Sequence, residues 1–387
     1  MNGQEECFQA QANDLARLTA SSRRRKLIPE TGVDFSSNDY LGLARSGLLA
    51  KAARAALDRG VAIGSGGSRL LRGNNAEHEA LESEATTFFG SESATYFSTG
   101  YAANSALFAT LPRHGDIIVH DALIHASAHE GMRLGRASIA SARHNDADHF
   151  EAAIRRYRED GGKGTPWIAV ESLYSMDGDR APLDDLAAIA ARHDAILLID
   201  EAHATGVFGK HGRGLADDLG RSENVITLRT CGKALGCEGA LVCGSAVIKD
   251  FLVNRARGFI FSTAPSPLMA AVVRAALAIV RDRADLRDTL WQRVGHAQRV
   301  LEPLGATASG SQIIPVVIGR DDRTMAAAAS LQTAGFDVRG IRPPTVPRNT
   351  ARLRISITLN AEISDIDRLA TALAEGLDDA RALERIA

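Results

Sequence analysis

The chain has 387 residues, of which 45% are hydrophobic and 24% charged, and its formal net charge is −2. This length and composition suit an ordinary globular protein of two domains, and the near-neutral charge argues against nucleic acid or a membrane surface as partner. The N-terminus lacks the apolar core of a signal peptide, and no apolar stretch reaches the length of a membrane span. The cysteines are too few for a disulfide scaffold, which favours a reducing cytoplasm; they are Cys7, Cys231, Cys237 and Cys243.

Short apolar runs alternate with amphipathic stretches over the first two thirds of the chain. The runs are rich in β-branched residues and bounded by turn, polar or acidic residues, as in strands buried on both faces. They span residues 116–120, 167–171, 195–200, 224–228 and 240–243. Helical patterns lie between them, for example over 150–159 and 183–193. This alternation predicts an α/β fold, with a mostly parallel sheet covered by helices.

The pattern changes after residue 265. The later segments are a long helical stretch over 266–304, a strand at 313–318, a helix at 325–333, short strands at 336–338 and 353–358, and a helix from 364 onward. We therefore expect a large domain over 46–265 and a smaller α+β domain over 266–387. An N-terminal arm, 1–45, would pack on the smaller domain or reach toward a partner subunit.

A glycine turn in the segment STGYAAN, residues 98–104, opens a helix after an apolar run. Backbone N–H groups at such a helix start form an anion site that would suit a phosphate. Gly100 would make the turn, and Tyr101 could add an aromatic wall. Taken alone the signal is weak, because many loops enter helices through Ser, Thr and Gly.

A second glycine-rich segment, GSGGSR at residues 64–69, imitates a dinucleotide-binding fingerprint. A helical pattern precedes it, whereas the fingerprint requires a strand. A glycine-rich loop near an active site, in contact with a partner subunit, is the better interpretation.

His125 and His129 stand four residues apart, a spacing that can bind zinc on a helix. The metalloprotease form requires glutamate directly after the first histidine, and alanine stands there. The cysteines Cys231, Cys237 and Cys243 are six apart, wider than zinc pairs normally are. We expect no metal site; His125 is better interpreted as a flat ring stacked on a ligand, or as a structural histidine.

Polar residues follow two of the predicted strands. Asp200, with His203 three residues on, ends the run AILLID, and Ser175 follows the strand that ends at Glu171. Ligands bind at the carboxyl ends of strands in open α/β sheets. Asp200 could face a protonated heteroaromatic nitrogen or simply cap a helix, and Ser175 could bind a ring substituent or a phosphate.

Lys233 lies in TCGKALG, a segment without other charges that follows a predicted strand. Burial would lower the pKa of this lysine, which is the condition for Schiff-base chemistry. A surface lysine in a loop is the alternative. The order of these signals along the chain favours the Schiff-base lysine. A phosphate turn, a stacking histidine, a strand-end serine, a strand-end aspartate and a lysine together make up one pyridoxal phosphate site.

The sequence resembles the α-oxoamine synthases of pyridoxal-phosphate fold type I over nearly its whole length. The motifs that carry the resemblance are FSSNDYLG at 35–42, GGSR at 66–69, Asp121 with HAS at 125–127, SMDGD at 175–179, DEAH at 200–203, TCGK at 230–233 and RPPTVP at 342–347. The resemblance implies the fold of that family, with a large cofactor domain and a smaller C-terminal domain. It also implies a homodimer with active sites at the interface.

The resemblance assigns roles to individual residues. It implies that Lys233 holds pyridoxal 5′-phosphate, that Asp200 pairs with the pyridine nitrogen and that His203 contacts the phenolic oxygen. His125 would stack on the ring and face substrate. The remaining implied cofactor contacts are Gly100, Tyr101, Ser175 and Thr230, and the implied substrate contacts are Arg354 for the amino-acid carboxylate and Arg23, Arg342 and Thr345 near the acyl substrate.

Within the family, FSSNDYLGL, IRPPTVP and the arginine triplet at 23–25 favour the member that condenses L-alanine with a pimeloyl thioester in biotin biosynthesis. Glycine C-acetyltransferase, 5-aminolevulinate synthase and serine palmitoyltransferase are alternatives, because they share the cofactor residues. A nicotinamide dehydrogenase and a non-catalytic binding module are alternatives of other classes. Thr99 and Cys231 depart from the family pattern without removing a reacting group.

Overall fold

The computed structural model describes residues 7–21 and 23–382, and their side chains as far as residue 377. The ends of the predicted arm and of the predicted C-terminal domain therefore lie partly outside the described residues. The chain forms two compact units. The larger comprises 38–175 and 179–289, and the smaller comprises the segments before 38 and after 289 together with 176–178.

A seven-stranded sheet, counted over the described residues, organises the larger unit. Its strands are β2 (Ser93–Phe97), β3 (Ile117–Asp121), β4 (Ser138–Ala142), β5 (Pro166–Glu171), β6 (Ile196–Asp200), β7 (Val225–Thr230) and β8 (Ala240–Gly244), after β1 (Val33–Asp34) in the smaller unit. The spatial order is β2-β8-β7-β6-β5-β3-β4. Pairing is parallel from β4 to β7 and antiparallel on both sides of β8. The predicted mostly parallel sheet is confirmed.

Helices cover this sheet. Those of the larger unit are α2 (Gly47–Asp58), α3 (Ala76–Phe89), α4 (Gly100–Thr110), α5 (Ala126–Leu134), α6 (Ala147–Glu159), α7 (Leu183–Arg192), α8 (Ala246–Arg255), α9 (Arg257–Ile260) and α10 (Pro267–Asp282), and α1 (Gln9–Ala20) precedes them in the smaller unit. Successive strand residues enter opposite cores, so Ile118 packs with Leu107 of α4 while Ile117 and Val119 pack with Phe150 of α6. Burial on both faces explains why the strands are continuous apolar runs.

The smaller unit combines short strands with long helices. Its further elements are α11 (Ala284–Leu301, which begins in the larger unit), β9 (Ile313–Gly319), α12 (Asp321–Thr333), β10 (Phe336–Asp337), β11 (Arg339–Ile341), β12 (Ala351–Ser356) and α13 (Ile363–Ala382). β11, β12 and β9 form an antiparallel sheet, and β1 pairs in parallel with β10. The segment just after the N-terminal helix is thereby part of this unit's structure.

The long helical stretch predicted over 266–304 is two helices. The backbone of Arg283 leaves helical geometry at φ −105° and ψ 70°, so the chain breaks between α10 and α11. α10 packs on α2 and α3, which places it in the larger unit. The boundary between the two compact units thus falls near residue 290, later than the predicted domain boundary at 266. None of the described helices is long and apolar enough to cross a membrane.

Candidate active site

The carboxyl ends of β5 and β6 bring two buried acids together. Glu171 and Asp200 are the last residues of these strands and are register partners across the parallel pair. They are 3% and 6% exposed. Burial, together with the nearby charge of Asp200, raises the pKa of Glu171 to about 8. Glu171 therefore carries a proton at neutral pH.

The carboxylate of Asp200 is held by uncharged donors. Its Oδ2 accepts a hydrogen bond of 2.7 Å from the side-chain amide of Asn104, and its Oδ1 accepts one of 2.9 Å from the backbone N–H of Ala202. No ion pair involves Asp200 within the described part of the chain. A buried carboxylate held by neutral donors and by no ion pair favours a positively charged ligand group at this point.

Lys233 lies beside His203 in the same unit. Its Nζ is 2.9 Å from His203 Nε2, and Nδ1 of the same ring is 2.6 Å from the hydroxyl of Tyr40. Tyr40 in turn donates to Asn38 Oδ1 at 3.0 Å. The ring of His203 thus lies between the lysine amine and the phenol, with one nitrogen in contact with each. The chain of contacts holds the lysine amine in one place.

The predicted anion turn is the N-terminus of α4. Thr99 caps this helix, and its hydroxyl accepts the N–H of Ala102 at 3.0 Å. Threonine thus makes the cap at this position, where it departs from the family pattern. Gly100 packs close to Thr230 at the end of β7, and a Cβ on Gly100 would stand 3.6 Å from the Thr230 hydroxyl. Two predicted cofactor residues, Gly100 and Thr230, therefore share one corner of the site.

Tyr101 and His125 lie on the same side of the sheet edge. Their rings make an edge-to-face contact with centroids 6.4 Å apart. His125 is the N-cap of α5, and its Nδ1 lies 2.7 Å from the hydroxyl of Ser127. Burial lowers the pKa of His125; the charge of Asp200 opposes this shift and that of Lys233 adds to it. These charges act on one ring, so the structure brings His125, Asp200 and Lys233 together.

His125 and His129 have a spacing that can bind zinc, but they do not lie together on one face of a helix. His125 precedes the helix as its cap, while the ring of His129 lies against that of His120 with centroids 4.9 Å apart. Among the described residues no group of three or more His, Cys, Asp or Glu side chains is arranged to hold a metal ion. Cys231 and Cys243 are buried and Cys237 is partly exposed. Burial raises the pKa of all three thiols, which keeps them protonated.

Ser175 follows β5 in a loop that closes on itself. Its backbone N–H donates to the Glu171 carboxyl. The loop is closed by hydrogen bonds from Tyr174 N to Asp179 O at 2.9 Å and from Ala181 N to Ser172 O at 3.2 Å. These bonds hold Ser175 next to the ends of β5 and β6.

Four of the five predicted substrate residues belong to the smaller unit, and the fifth, His125, belongs to the larger. Arg354, on β12, is buried and donates to Ser356 at 2.6 Å. Arg23 donates to Asp321 at 2.9 Å. Burial and the neighbouring charges of Arg25 and Arg23 lower the pKa of Arg342, and Thr345 N donates to Arg342 O at 3.1 Å. Arg23, Arg342 and Thr345 therefore lie in one part of this unit, and their role toward substrate stays a prediction.

Three residues of the site received no role from the sequence. Tyr40 lies within FSSNDYLGL, Asn104 closes STGYAAN, and Ser127 is the serine of HAS. Tyr40 and Ser127 stood inside motifs used for the resemblance, and Asn104 stood inside the predicted anion turn. Only the structure shows that Tyr40 contacts His203, that Asn104 contacts Asp200, and that Ser127 contacts His125.

Comparisons with known proteins cover nearly the whole chain. A sequence model of the family described as "Aminotransferase class I and II" matches residues 30–373. An 8-amino-7-oxononanoate synthase of Chromobacterium violaceum is 43% identical over 339 residues, which span 87% of each chain. A protein of the same description from Geobacter sulfurreducens is 39% identical over 92% of each chain.

Solved structures share the fold. A serine palmitoyltransferase of Sphingomonas wittichii superposes with a TM-score of 0.88 at 27% identity, covering 98% of this chain and 100% of that one. An 8-amino-7-oxononanoate synthase of Francisella tularensis gives 0.75 at 26% identity, covering 90% and 98%. The chain belongs to the aminotransferase class I and II family and, within it, to the α-oxoamine synthases.

Proposed function

We propose that this chain is a pyridoxal-phosphate-dependent acyltransferase that condenses L-alanine with a pimeloyl thioester in biotin biosynthesis. The products are 8-amino-7-oxononanoate, carbon dioxide and the free thiol. The observation that carries the proposal is the Lys233 amine, held 2.9 Å from His203, with the buried Asp200 close enough for both charges to act on His125. Similarity of about 40% to synthases of this description, over most of both chains, supports the choice of reaction.

The residues present fit this cofactor. Asp200 would hold a proton on the pyridine nitrogen, since it is a buried anion whose contacts on the described residues are neutral donors. Gly100 and the first N–H groups of α4 would receive the phosphate, because helix N-termini favour anions. Thr230 and Ser175 would add hydroxyl contacts, and the ring of His125 would stack on the cofactor. When bound, pyridoxal phosphate supplies an electron sink for charge at the amino-acid α-carbon.

Lys233 would have two tasks. Its amine would hold the cofactor in the resting enzyme, and after alanine binds it would take the α-proton as general base. His203 Nε2 is hydrogen-bonded to this amine at 2.9 Å and would fix its position. Placing the base at the α-carbon contributes typically about 10²–10⁴-fold to the rate of proton transfer.

The substrate side of the proposal rests on the smaller unit. Arg354 would hold the carboxylate of alanine. Arg23, Arg342 and Thr345 would lie near the acyl substrate. A pimeloyl chain ends in a carboxylate, and two arginines in one region suit such a group better than they suit a fully apolar chain.

An assay of thiol release tests the reaction. Alanine, glycine and serine would each be combined with pimeloyl, acetyl, succinyl and palmitoyl thioesters. We expect the highest kcat/KM for alanine with the pimeloyl thioester, and product of the mass of 8-amino-7-oxononanoate. A preference for serine with palmitoyl, or for glycine with acetyl or succinyl, would assign the chain to another member of the family.

We further propose a cytoplasmic homodimer, as the family resemblance implies. Large apolar side chains are exposed on the larger unit at two neighbouring segments. Ile63 and Leu71 lie on one, and Phe261 on the other, with exposures of 71%, 80% and 71%. The segments are joined by a hydrogen bond from Ser266 to Ile63 O and by one from Ala264 N to Gly67 O. Exposed apolar surface of this kind favours a protein partner.

A further inference from the structure

Two uncharged side chains connect Asp200 to His125. The side-chain nitrogen of Asn104 lies 2.7 Å from Asp200 Oδ2 and 3.1 Å from Ser127 Oγ. Ser127 Oγ lies 2.7 Å from Nδ1 of His125. Asn104 and Ser127 are 2% and 0% exposed, so water does not compete for these contacts.

The chemistry of the groups fixes the direction of each hydrogen bond. An ionised carboxylate only accepts, so the Asn104 atom next to Asp200 is the amide nitrogen. That NH₂ group gives its second proton to Ser127 Oγ. The hydroxyl proton of Ser127 then remains available for donation to His125 Nδ1.

A second donor reaches the same ring atom. The backbone N–H of Ser127 lies 3.2 Å from His125 Nδ1, and a backbone amide can only donate. This argument does not depend on the ionisation of Asp200. Both donors require that Nδ1 carries no proton.

The groups around His125 keep the ring neutral. Burial lowers its pKa, the charge of Lys233 lowers it further, and only Asp200 opposes the shift. His129, on the next turn of α5, interacts electrostatically with it, and Tyr101 presents its ring edge-to-face. A neutral ring with an unprotonated Nδ1 carries its proton on Nε2.

We propose that Ser127 and Asn104 are positioning residues that hold His125 as the neutral imidazole with its proton on Nε2. His125 then donates a hydrogen bond from Nε2 and has no free nitrogen with which to act as a base. The second statement concerns catalysis and rests on the proposed function, in which His125 faces substrate. It leaves proton removal to Lys233.

Nitrogen NMR of the holoenzyme tests the tautomer directly. Histidine would be ¹⁵N-labelled, and the His125 signals would be assigned from their absence in His125→Asn. We expect one nitrogen in the unprotonated range and one in the protonated range, both constant from pH 6 to pH 8.5. A ring that titrates within this interval, or one protonated on Nδ1, would overturn the proposal. This result does not depend on which amino acid or thioester the enzyme uses.

Variants of Ser127 test its part. Ser127→Ala removes the hydroxyl donor and keeps the backbone N–H, so the His125 pKa should rise by roughly half to one unit. Ser127→Thr keeps the hydroxyl and should restore the wild-type signals. Ser105→Ala, on α4 beside Asn104, is the matched control and should change nothing. If Ser127→Ala lowers activity or Tm while the His125 nitrogens keep their wild-type signals, the proposed role of Ser127 toward His125 is wrong. If the variant fails to fold, the wild-type spectrum still tests the tautomer of His125.

Discussion

At the residue scale, the site combines two buried acids, of which Glu171 is protonated at neutral pH. Glu171 and Asp200 face each other across neighbouring strands, and burial with the charge of Asp200 raises the pKa of Glu171 to about 8. A cofactor with a protonated ring nitrogen would give Asp200 the cation that the described residues do not provide. The charge of Asp200, rather than its volume, is therefore the property to test.

Asp200→Asn should keep the fold and still bind pyridoxal phosphate, because asparagine has nearly the same shape. It should lose about 10²–10³-fold in kcat, the usual effect of removing one preorganised electrostatic contact. Steady-state kinetics and the visible absorption band of the bound cofactor measure the two effects. Asp218→Asn, at an exposed position, is the control. A wild-type rate in Asp200→Asn would refute the role of the charge.

The sequence alone allowed Asp200 and Lys233 to be predicted as site residues, because each follows an apolar run and strand ends meet at one edge; their roles stay predictions. It could not select their supports. Tyr40 and His203 are separated by 163 positions and Asn104 and Asp200 by 96, so the contacts depend on the fold rather than on local pattern. The lysine gave the least local information, since glycine-flanked lysines also occur in surface loops.

At the scale of single elements, the N-terminus of α4 is a capped helix start and also the proposed phosphate site. Thr99 caps the helix, and the first N–H groups of the same helix would receive the phosphate. Ser46 caps α2 in the same manner, accepting the N–H of Leu49 at 3.3 Å. The two caps are thus alike in structure and differ in expected function.

Thr99→Ala and Ser46→Ala should each lower the free energy of unfolding by about 1 kcal/mol, the usual loss for a side-chain N-cap. Only Thr99→Ala should also weaken pyridoxal phosphate, by about three- to tenfold in Kd, because its helix start loosens. Urea denaturation and cofactor titration of the apoenzyme measure these quantities. Equal cofactor affinity in the two variants would contradict phosphate binding at the N-terminus of α4.

A second element-scale feature is the pair of loops tied together by His144. Its Nδ1 lies 2.8 Å from Asp121, at the end of β3, and its Nε2 lies 2.7 Å from Asp179, in the loop of Ser175. Burial opposes the charge on His144, but the hydrogen bonds to both carboxylates outweigh burial and raise its pKa to about 10.

This raised pKa gives stability a defined dependence on pH. Unfolded histidine titrates near pH 6.5, so the contribution is complete below about 6.5 and is lost as the pH rises through about 10. His144→Gln should therefore show a smaller fall in stability than the wild type between pH 6.5 and pH 10. Urea denaturation across this range measures the difference, with exposed His114→Gln as control. Parallel curves for wild type and His144→Gln would contradict the charged state of His144.

Strands with long apolar runs were predicted from the sequence, whereas the strands β2 and β4, which lack such runs, were not. β4 is an edge strand of small residues, mostly exposed, and carries no apolar run. β2 pairs with the antiparallel strand β8, and its residues, SATYF, combine small, polar and aromatic types. The break at Arg283 has no proline or glycine to mark it, so the two helices on either side were predicted as one.

At the scale of the whole molecule, fold and reaction are supported by different findings. The serine palmitoyltransferase structure superposes with a higher TM-score than the 8-amino-7-oxononanoate synthase structure, yet both are below 30% identical to this chain. The sequence relatives at about 40% identity are synthases of 8-amino-7-oxononanoate. A shared fold does not choose among substrates, because function lies in sites carried on the fold.

The proposed dimer gives a whole-molecule prediction. Sedimentation should show one species of twice the chain mass, because the exposed side chains of Leu71 and Phe261 would be buried against a second copy. Leu71→Asp with Phe261→Asp should shift the protein toward monomer and reduce activity with it. Leu57→Asp, on α2, is the control. A wild-type monomer of full activity would contradict an interface site.

The central claim is that Lys233 carries the cofactor, and borohydride reduction of the holoenzyme tests it most directly. Reduction fixes the cofactor to its lysine, and peptide mass spectrometry then locates it. We expect the added pyridoxyl mass on the peptide that contains Lys233. The chain has five other lysines, Lys26, Lys51, Lys163, Lys210 and Lys249. A label on any of these in its place, or an active enzyme that takes up no label, would contradict the account.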